Sequence, residues 1–183
     1  TKRSCLSVAI LLIVIATATS ASEATSKNKK ILVLGDSLSA GLGVDYQQSW
    51  PLLLQSRLGQ GGYNYLVVNA GISGDTTSGG VSRLPKLIRL HQPEILILEL
   101  GGNDGLRGTS LKAIEKNLRD MIKSAQSNNI MVLLIGVQLP PNYGAPYTKG
   151  FEKVFSDLAK EYSLELIQGT LKTMVNEGLM QTD

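Results

Sequence analysis

Short apolar runs alternate along the chain with longer segments of helical spacing. The runs are four to eight residues long and stop at glycine or polar residues; they are Ile31–Leu34, Tyr65–Asn69, Ile95–Leu100, Ile130–Val137 and, more weakly, Leu164–Ile167. Apolar runs of this length are typical of strands buried on both faces of a parallel sheet. The segments between them repeat apolar residues at helical spacing, at about Trp50–Leu58, Thr77–Leu90, Leu111–Ser127 and Thr148–Tyr162.

This alternation predicts an α/β fold, because strands that alternate with helices are joined by right-handed crossovers in a parallel sheet. The predicted architecture is a three-layer α/β/α sandwich with a five-stranded parallel sheet, flavodoxin-like in plan. The chain length of 183 residues fits one domain, since a single domain typically has roughly 100–200 residues.

Polar and glycine-rich segments follow the first four predicted strands. They are Gly35–Gly41, Ala70–Asp75, Gly101–Gly105 and Leu139–Gly144. Parallel α/β sheets bind ligands outside the carboxyl ends of their strands, so these segments are expected on one functional edge. His91 comes before the third strand and is therefore expected at the opposite edge.

Composition excludes several classes of site. The chain has one histidine and one cysteine, which excludes an intrachain disulfide and a Cys/His metal cluster, and we predict no metal and no cofactor. The net charge of +3 comes from scattered basic residues, whereas a nucleic-acid surface needs them clustered, so no nucleic-acid partner is expected. The glycine-rich turns lack Gly-Lys-Ser/Thr, which disfavours a phosphate-binding protein.

The N-terminal region has the layout of a secretory signal peptide. Lys2 and Arg3 precede the apolar run Leu6–Ala18, and small residues suited to cleavage follow it. The alternative is a membrane anchor, but the run is shorter than the roughly 20 residues that span a bilayer. We therefore expect residues 1–24 to be a signal peptide and residues 25–183 the domain, in a periplasmic or secreted bacterial protein without a stable membrane anchor after cleavage.

The serine after the first strand is a candidate nucleophile. Ser37 lies where a strand turns into a helix, so its hydroxyl can project at the sheet edge while its backbone N–H faces a developing oxyanion. Gly74 can offer a backbone N–H and Asn103 a side-chain N–H to the same oxygen. The alternative interpretation is that Asp36-Ser37 caps a helix and that Asn103-Asp104 forms a turn or cap.

Together these segments resemble the sequence blocks of the SGNH (GDSL) hydrolase family. The blocks are Gly35-Asp36-Ser37-Leu38, the glycine of Ser73–Thr76, Gly-x-Asn-Asp at Gly101–Asp104 and Leu-Pro-x-Asn-Tyr-Gly at Leu139–Gly144. They look closest to the periplasmic multifunctional acyl-CoA thioesterase I/protease I/lysophospholipase (arylesterase) type, over about residues 31–183. By this resemblance Ser37 is the nucleophile, and the Ser37 N–H, Gly74 and Asn103 form the oxyanion hole.

The resemblance also implies a base that the printed sequence does not contain. The family's last block is Asp-x-x-His, whose histidine is the general base and whose aspartate orients it. Asp183 matches that aspartate, and the histidine would come three residues later. We therefore expect a domain cut short before the catalytic histidine, with residues 1–183 alone nearly inactive.

The resemblance further implies the substrates, which are small acyl esters or thioesters, including aryl esters and lysophospholipids. The family's acyl pocket is lined by loops that correspond to Leu106 and to Leu139, Pro140, Asn142 and Tyr143. Two alternatives stay open at this point. One is a carbohydrate-ester deacetylase, and the other is a non-catalytic module that binds acyl groups.

Overall fold

The computed structural model describes residues 29–168, and five segments of this part form one parallel sheet. In chain order the strands are β1 (Lys29–Gly35), β2 (Tyr65–Asn69), β3 (Ile95–Glu99), β4 (Met131–Gly136) and β5 (Glu165–Gln168). Their order across the sheet is β2-β1-β3-β4-β5. This is the flavodoxin-like order, and it confirms the predicted five-stranded parallel sheet.

Within residues 29–168, six α-helices lie between the strands. They are α1 (Ser37–Ala40), α2 (Trp50–Gln60), α3 (Thr77–His91), α4 (Gly102–Leu106), α5 (Leu111–Gln126) and α6 (Ala145–Tyr162). The four long helices confirm the spacing argument, although α6 begins three residues earlier than predicted. Pro146 lies in its first turn, where the lack of an N–H costs nothing. A helix that begins near Ser37 was expected, but the bounds of the short helices α1 and α4 were not predicted, because four or five residues are too few to show a helical repeat.

The strands bury apolar side chains on both faces of the sheet, as the uninterrupted runs predict. On one face, Leu32, Leu96 and Leu134 are fully buried beneath α3, α5 and α6. On the other face, Ile31, Val33 and Ile97 pack against side chains of α2. This three-layer arrangement leaves the carboxyl ends of the strands as an open edge.

The chain reverses its direction of winding between β1 and β3. From β1 it proceeds outward to β2, then returns to place β3 on the other side of β1. Such a switch point opens a crevice at the carboxyl ends of the two strands, where α/β proteins place their sites. The segments that contain Ser37 and Asn103 both begin at this crevice.

Two of the sequence predictions fall on residues outside the described part, namely the signal peptide and Asp183. Between residues 29 and 168, no helix is long and apolar enough to cross a membrane.

Candidate active site

Ser37 is the first residue of α1, directly after β1 ends. Asp36 precedes it, is buried, and accepts a hydrogen bond of 3.1 Å from the backbone N–H of Leu38. Gly41 ends the helix in the left-handed conformation, with φ of 79°. Asp36 is therefore a helix cap, as the more conservative interpretation held, and the cap fixes the turn on which Ser37 lies.

The short helix α1 packs directly on the strand ends because glycines lie beneath it. A Cβ atom on Gly71 would lie 2.7 Å from the backbone nitrogen of Ala40. A Cβ atom on Gly35 would lie 2.2 Å from the Ser39 hydroxyl oxygen. Asn69 adds a 2.8 Å hydrogen bond from its amide to the Ser39 carbonyl. The position of Ser37 is thus set by backbone packing that a larger residue would disrupt.

Asn103 connects the three sequence blocks. It lies on α4, and its amide nitrogen donates to Asp36 Oδ2 at 3.1 Å and to the backbone carbonyl of Asp75 at 2.9 Å. The residue before Asp75 is Gly74, whose φ of 80° is left-handed and suits glycine. The structure therefore brings Asn103 beside the residues that adjoin Ser37 and Gly74. Both amide hydrogens have partners here, so an oxyanion would share or replace one of them.

Arg83 on α3 holds the same edge together, and sequence reasoning missed it. Its Nε donates to Asp75 at 2.7 Å. Its two other nitrogens donate to the carbonyls of Ala70 at 2.6 Å and Gly35 at 3.2 Å. One guanidinium therefore joins the ends of β1 and β2 to the turn that carries Gly74.

The carboxylates near Ser37 have structural partners. Asp75 pairs with Arg83, and buried Asp104 accepts from the Thr77 backbone N–H at 2.8 Å and from its hydroxyl at 2.7 Å. Burial raises the pKa of Asp36, while hydrogen bonds from Leu38 and Asn103 oppose that rise. These contacts give Asp36, Asp75 and Asp104 structural roles, in line with the cap and turn interpretation of Asp36 and Asp104.

The residues predicted to line an acyl pocket divide into two groups. Leu106, Pro140 and Asn142 are exposed, and the Tyr143 hydroxyl donates to the Leu106 carbonyl at 3.0 Å, which joins the segment after β4 to the end of α4. Leu139 is instead buried in the hydrophobic core, where a Cβ atom on Gly105 would lie 2.5 Å from it. Leu139 therefore supports α4 from below, since an apolar side chain at this position is more stable in the core than at the edge.

Glu99 is a buried carboxyl group that sequence reasoning also missed. It is 2% exposed, and its Oε2 accepts from the Ser39 hydroxyl at 2.6 Å. Oε1 has no hydrogen-bond partner within the described part of the chain. Burial, with a smaller contribution from the nearby Asp36 carboxylate, raises the pKa of Glu99 to about 8. The signal in the sequence was an acidic residue inside an otherwise apolar strand, where a charge is costly.

We expect Glu99 to make folding stability depend on pH. Between its ordinary pKa of 4.5 and about 8, the folded protein keeps a proton on Glu99 that the unfolded chain releases. The free energy of unfolding should therefore fall by about 1.4 kcal/mol per pH unit from this group across that window. Urea unfolding at several pH values measures the slope.

The matched variants are Glu99→Gln, which should remove this slope, and Glu94→Gln, which should keep it. Glu94 is an exposed carboxylate that pairs with Lys29. The raised pKa of Asp36 acts with the same sign and should persist in both variants. An unchanged slope in Glu99→Gln would contradict the assignment.

His91 lies at the wrong edge of the sheet, as predicted. It ends α3, whose 15 residues begin at Thr77 near the crevice. At about 1.5 Å per residue, the two ends of α3 are roughly 21 Å apart. A general base must come within hydrogen-bond reach of the proton that it accepts, so His91 cannot serve Ser37.

Replacing His91 with glutamine should therefore leave kcat for ester hydrolysis by the full-length protein within about twofold of the wild-type value. Initial rates with a p-nitrophenyl ester measure this. A loss of several orders of magnitude would show that the base has been assigned to the wrong edge.

Comparison with known proteins agrees with this geometry. Residues 33–180 match the model of the GDSL-like lipase/acylhydrolase family. The chain belongs to this family. Esterase TesA of Pseudomonas aeruginosa is 46% identical over 154 residues, which cover 84% of this chain and 77% of that protein.

Two further comparisons concern a second relative and a solved structure. Thioesterase 1/protease 1/lysophospholipase L1 of Escherichia coli K12 is 42% identical over 137 residues, or 75% of this chain and 64% of that protein. A crystal structure of TesA superposes with a TM-score of 0.81 at 46% identity and covers 85% of this chain and 87% of that one. This member of the GDSL-like family is a carboxylic ester hydrolase with the α/β sandwich of SGNH hydrolases.

Proposed function

We propose that this GDSL-like hydrolase cleaves acyl esters and thioesters through an acyl-enzyme on Ser37. The observation that carries the proposal is the placement of Asn103, whose amide bonds to Asp36 beside Ser37 and to Asp75 beside Gly74. Three donors can then surround one oxygen: the Ser37 N–H, the Gly74 N–H and the Asn103 amide. Donors fixed in advance stabilise the negative charge that develops on that oxygen.

The reaction has two half-reactions. The Ser37 oxygen attacks the substrate carbonyl carbon while its proton passes to a general base, and the carbonyl oxygen becomes the oxyanion. Collapse of this intermediate breaks the C–O or C–S bond, and the alcohol or thiol leaves with the proton. Water then attacks the acyl-enzyme by the same route, which releases the acid and restores the serine.

We assign the general base to the histidine of the family's Asp-x-x-His block, with Asp183 as the aspartate that orients it. Two points support this assignment. First, Asp183 matches the aspartate of that block. Second, His91 lies too far from Ser37 to act as its base. The histidine would hold the Ser37 proton during attack and pass it to the leaving group.

The substrate class that we propose is a small molecule with an extended acyl chain. One relative is named a thioesterase and lysophospholipase, which fits a thiol or lysophospholipid leaving group. Exposed apolar side chains at the crevice suit an acyl chain; they are Leu38, Leu42, Ile72 and Leu106. A sugar-ester deacetylase would need little apolar surface for an acetyl group.

An acyl-chain series tests this proposal. The full-length protein is assayed with p-nitrophenyl esters from acetyl to dodecanoyl and with palmitoyl-CoA. We expect kcat/KM to rise from acetyl to octanoyl and expect CoA release. A maximum at acetyl with no hydrolysis of octanoyl would favour the deacetylase, and binding of acyl groups without any hydrolysis would favour the non-catalytic module.

We also propose that residues 1–24 direct export and are removed. The pattern of basic, apolar and small residues supports this proposal. Expression in a bacterial host followed by osmotic shock and intact-mass measurement tests it. Recovery in the periplasm with a new N-terminus after Ala18, Ala21 or Ala24 is the expected result, and an uncleaved cytoplasmic protein would contradict it.

A further inference from the structure

Glu99 lies directly beneath the nucleophile turn and contacts it on both sides of Ser37. It ends β3 opposite Gly35 in the sheet register. Its Oε2 accepts from the Ser39 hydroxyl at 2.6 Å and from the Asp36 backbone N–H at 3.4 Å. Ser37 thus lies between two residues that are held by the same carboxyl oxygen.

On the side of Gly35 and Ser39, the space around Glu99 allows its carboxyl group little freedom. A Cβ atom on Gly35 would lie 2.6 Å from Oε2, and the Ser39 hydroxyl occupies the same region. Its side chain also lines a cavity of about 350 Å³ with Leu38, Trp50 and other apolar residues. In such surroundings an ionised carboxylate has little solvation, so the protonated form is favoured.

From these contacts we infer that Glu99, as a neutral carboxylic acid, is the positioning residue that holds the nucleophile turn in its catalytic geometry. The inference rests on the proposed function, because it concerns the orientation of Ser37. Glu99 contacts the turn through Ser39 and Asp36, and no hydrogen bond joins it to Ser37 within the described residues. Its effect passes through Ser39 and Asp36 to the Ser37 hydroxyl and backbone N–H, where a displacement of about 1 Å can cost about 100-fold in rate.

Ionisation of Glu99 should disturb this arrangement. Among the charged groups near Glu99, the Asp36 carboxylate on the α1 side repels a negative charge on Glu99 and so raises its pKa. Farther out, Asp75 and Asp104 add negative charge near Asp36, and Arg83 of α3 reaches the Gly35 carbonyl. From α2 and β4 the cavity wall is apolar. Arg83 already pairs with Asp75, so a negative charge on Glu99 would have no cation of its own and would oppose the developing oxyanion.

The test compares Glu99→Gln and Glu99→Ala in the full-length protein, with Glu94→Gln as the matched control. The concentration of competent enzyme is set by titration with a p-nitrophenyl alkylphosphonate, and kcat and KM are measured from pH 6 to 9.5. We expect Glu99→Ala to lower kcat by at least about 30-fold at pH 7 with KM within about threefold. Glu99→Gln keeps a neutral oxygen that can accept from Ser39 and Asp36, so this variant should retain at least about a third of the wild-type kcat.

The pH profile separates positioning by a neutral acid from a purely structural role. Wild-type and Glu94→Gln enzymes should lose kcat above about pH 8, where Glu99 ionises, whereas Glu99→Gln should not. If Glu99→Ala does not fold, Ser39→Ala serves instead, with at least about a fivefold loss of kcat expected.

Three results would overturn the inference. The first is a kcat for Glu99→Ala or Ser39→Ala that equals the wild-type value. The second is a loss of kcat that is the same in Glu99→Gln and Glu99→Ala. The third is a decline of kcat at alkaline pH that persists in Glu99→Gln. Failure of the proposed function is distinguishable from these, because it would appear as a wild-type enzyme that the phosphonate does not label on Ser37.

Discussion

Replacing Ser37 with alanine should lower kcat for p-nitrophenyl octanoate by at least about 10⁴-fold in the full-length protein. Without the hydroxyl no acyl-enzyme forms, so only direct attack by water within the oxyanion site remains. The substitution removes one atom from a half-buried residue at a helix start, so the fold should persist. Stopped assays with a high enzyme concentration measure the residual rate, and the melting temperature checks folding.

The matched control for this substitution is Ser82→Ala. Ser82 is an exposed serine on α3, and its hydroxyl donates to the Ser78 carbonyl of the same helix. Its replacement should leave kcat within about twofold of wild type. Hydrolysis by Ser37→Ala at a similar rate would mean that another group supplies the nucleophile, and the acyl-enzyme mechanism would be wrong.

Replacing Asn103 with alanine should lower kcat by about 10²–10³-fold, the usual effect of losing one oxyanion donor. KM should change little, because the donor acts mainly on the charge that develops in the transition state. Asn128→Ala is the control, since Asn128 is an exposed asparagine in the turn after α5, and its amide donates to the Ser124 carbonyl in the last turns of that helix. Steady-state kinetics with octanoyl and butanoyl esters measure both constants.

A second substitution separates the oxyanion role of Asn103 from its structural bonds. Asn103→Asp keeps the shape but replaces the amide donor with a carboxylate beside Asp36 and the Asp75 carbonyl. It should reduce kcat at least as much as alanine does, because it adds negative charge where the oxyanion forms. Full activity in either variant would exclude Asn103 from the oxyanion hole.

The fold could be predicted because its elements have strong local signals. The apolar run at β3 is enough to predict a buried strand, and apolar residues recur at helical spacing along α5. Parallel strands place the segments that follow them at one edge, so the sequence alone predicts that Ser37 and Asn103 share that edge. The bounds of the short helices α1 and α4 could not be predicted, because they are too short to show a repeat and their packing, such as Gly71 against Ala40, is a tertiary feature.

The supporting residues of the site could not be identified from local patterns. Arg83 sits on a helix among other polar residues, and its three contacts belong to β1, β2 and the Gly74 turn, which meet only in the folded protein. Leu139 was interpreted as a pocket residue by resemblance, whereas the structure buries it against Gly105. Glu99 lies within an apolar run of the sequence that predicts only a buried strand, although an acidic residue in such a strand is itself unusual.

Covalent labelling of Ser37 tests the central claim most directly. The full-length protein is inactivated with a p-nitrophenyl alkylphosphonate, digested with trypsin and analysed by fragmentation mass spectrometry. Ser37 lies in the tryptic peptide Ile31–Arg57, which also contains Ser39, Ser49 and Ser56 as internal controls. We predict one phosphonyl group per protein, on Ser37, with loss of activity in proportion to labelling. Labelling of another residue, or complete inactivation with Ser37 unmodified, would contradict the account.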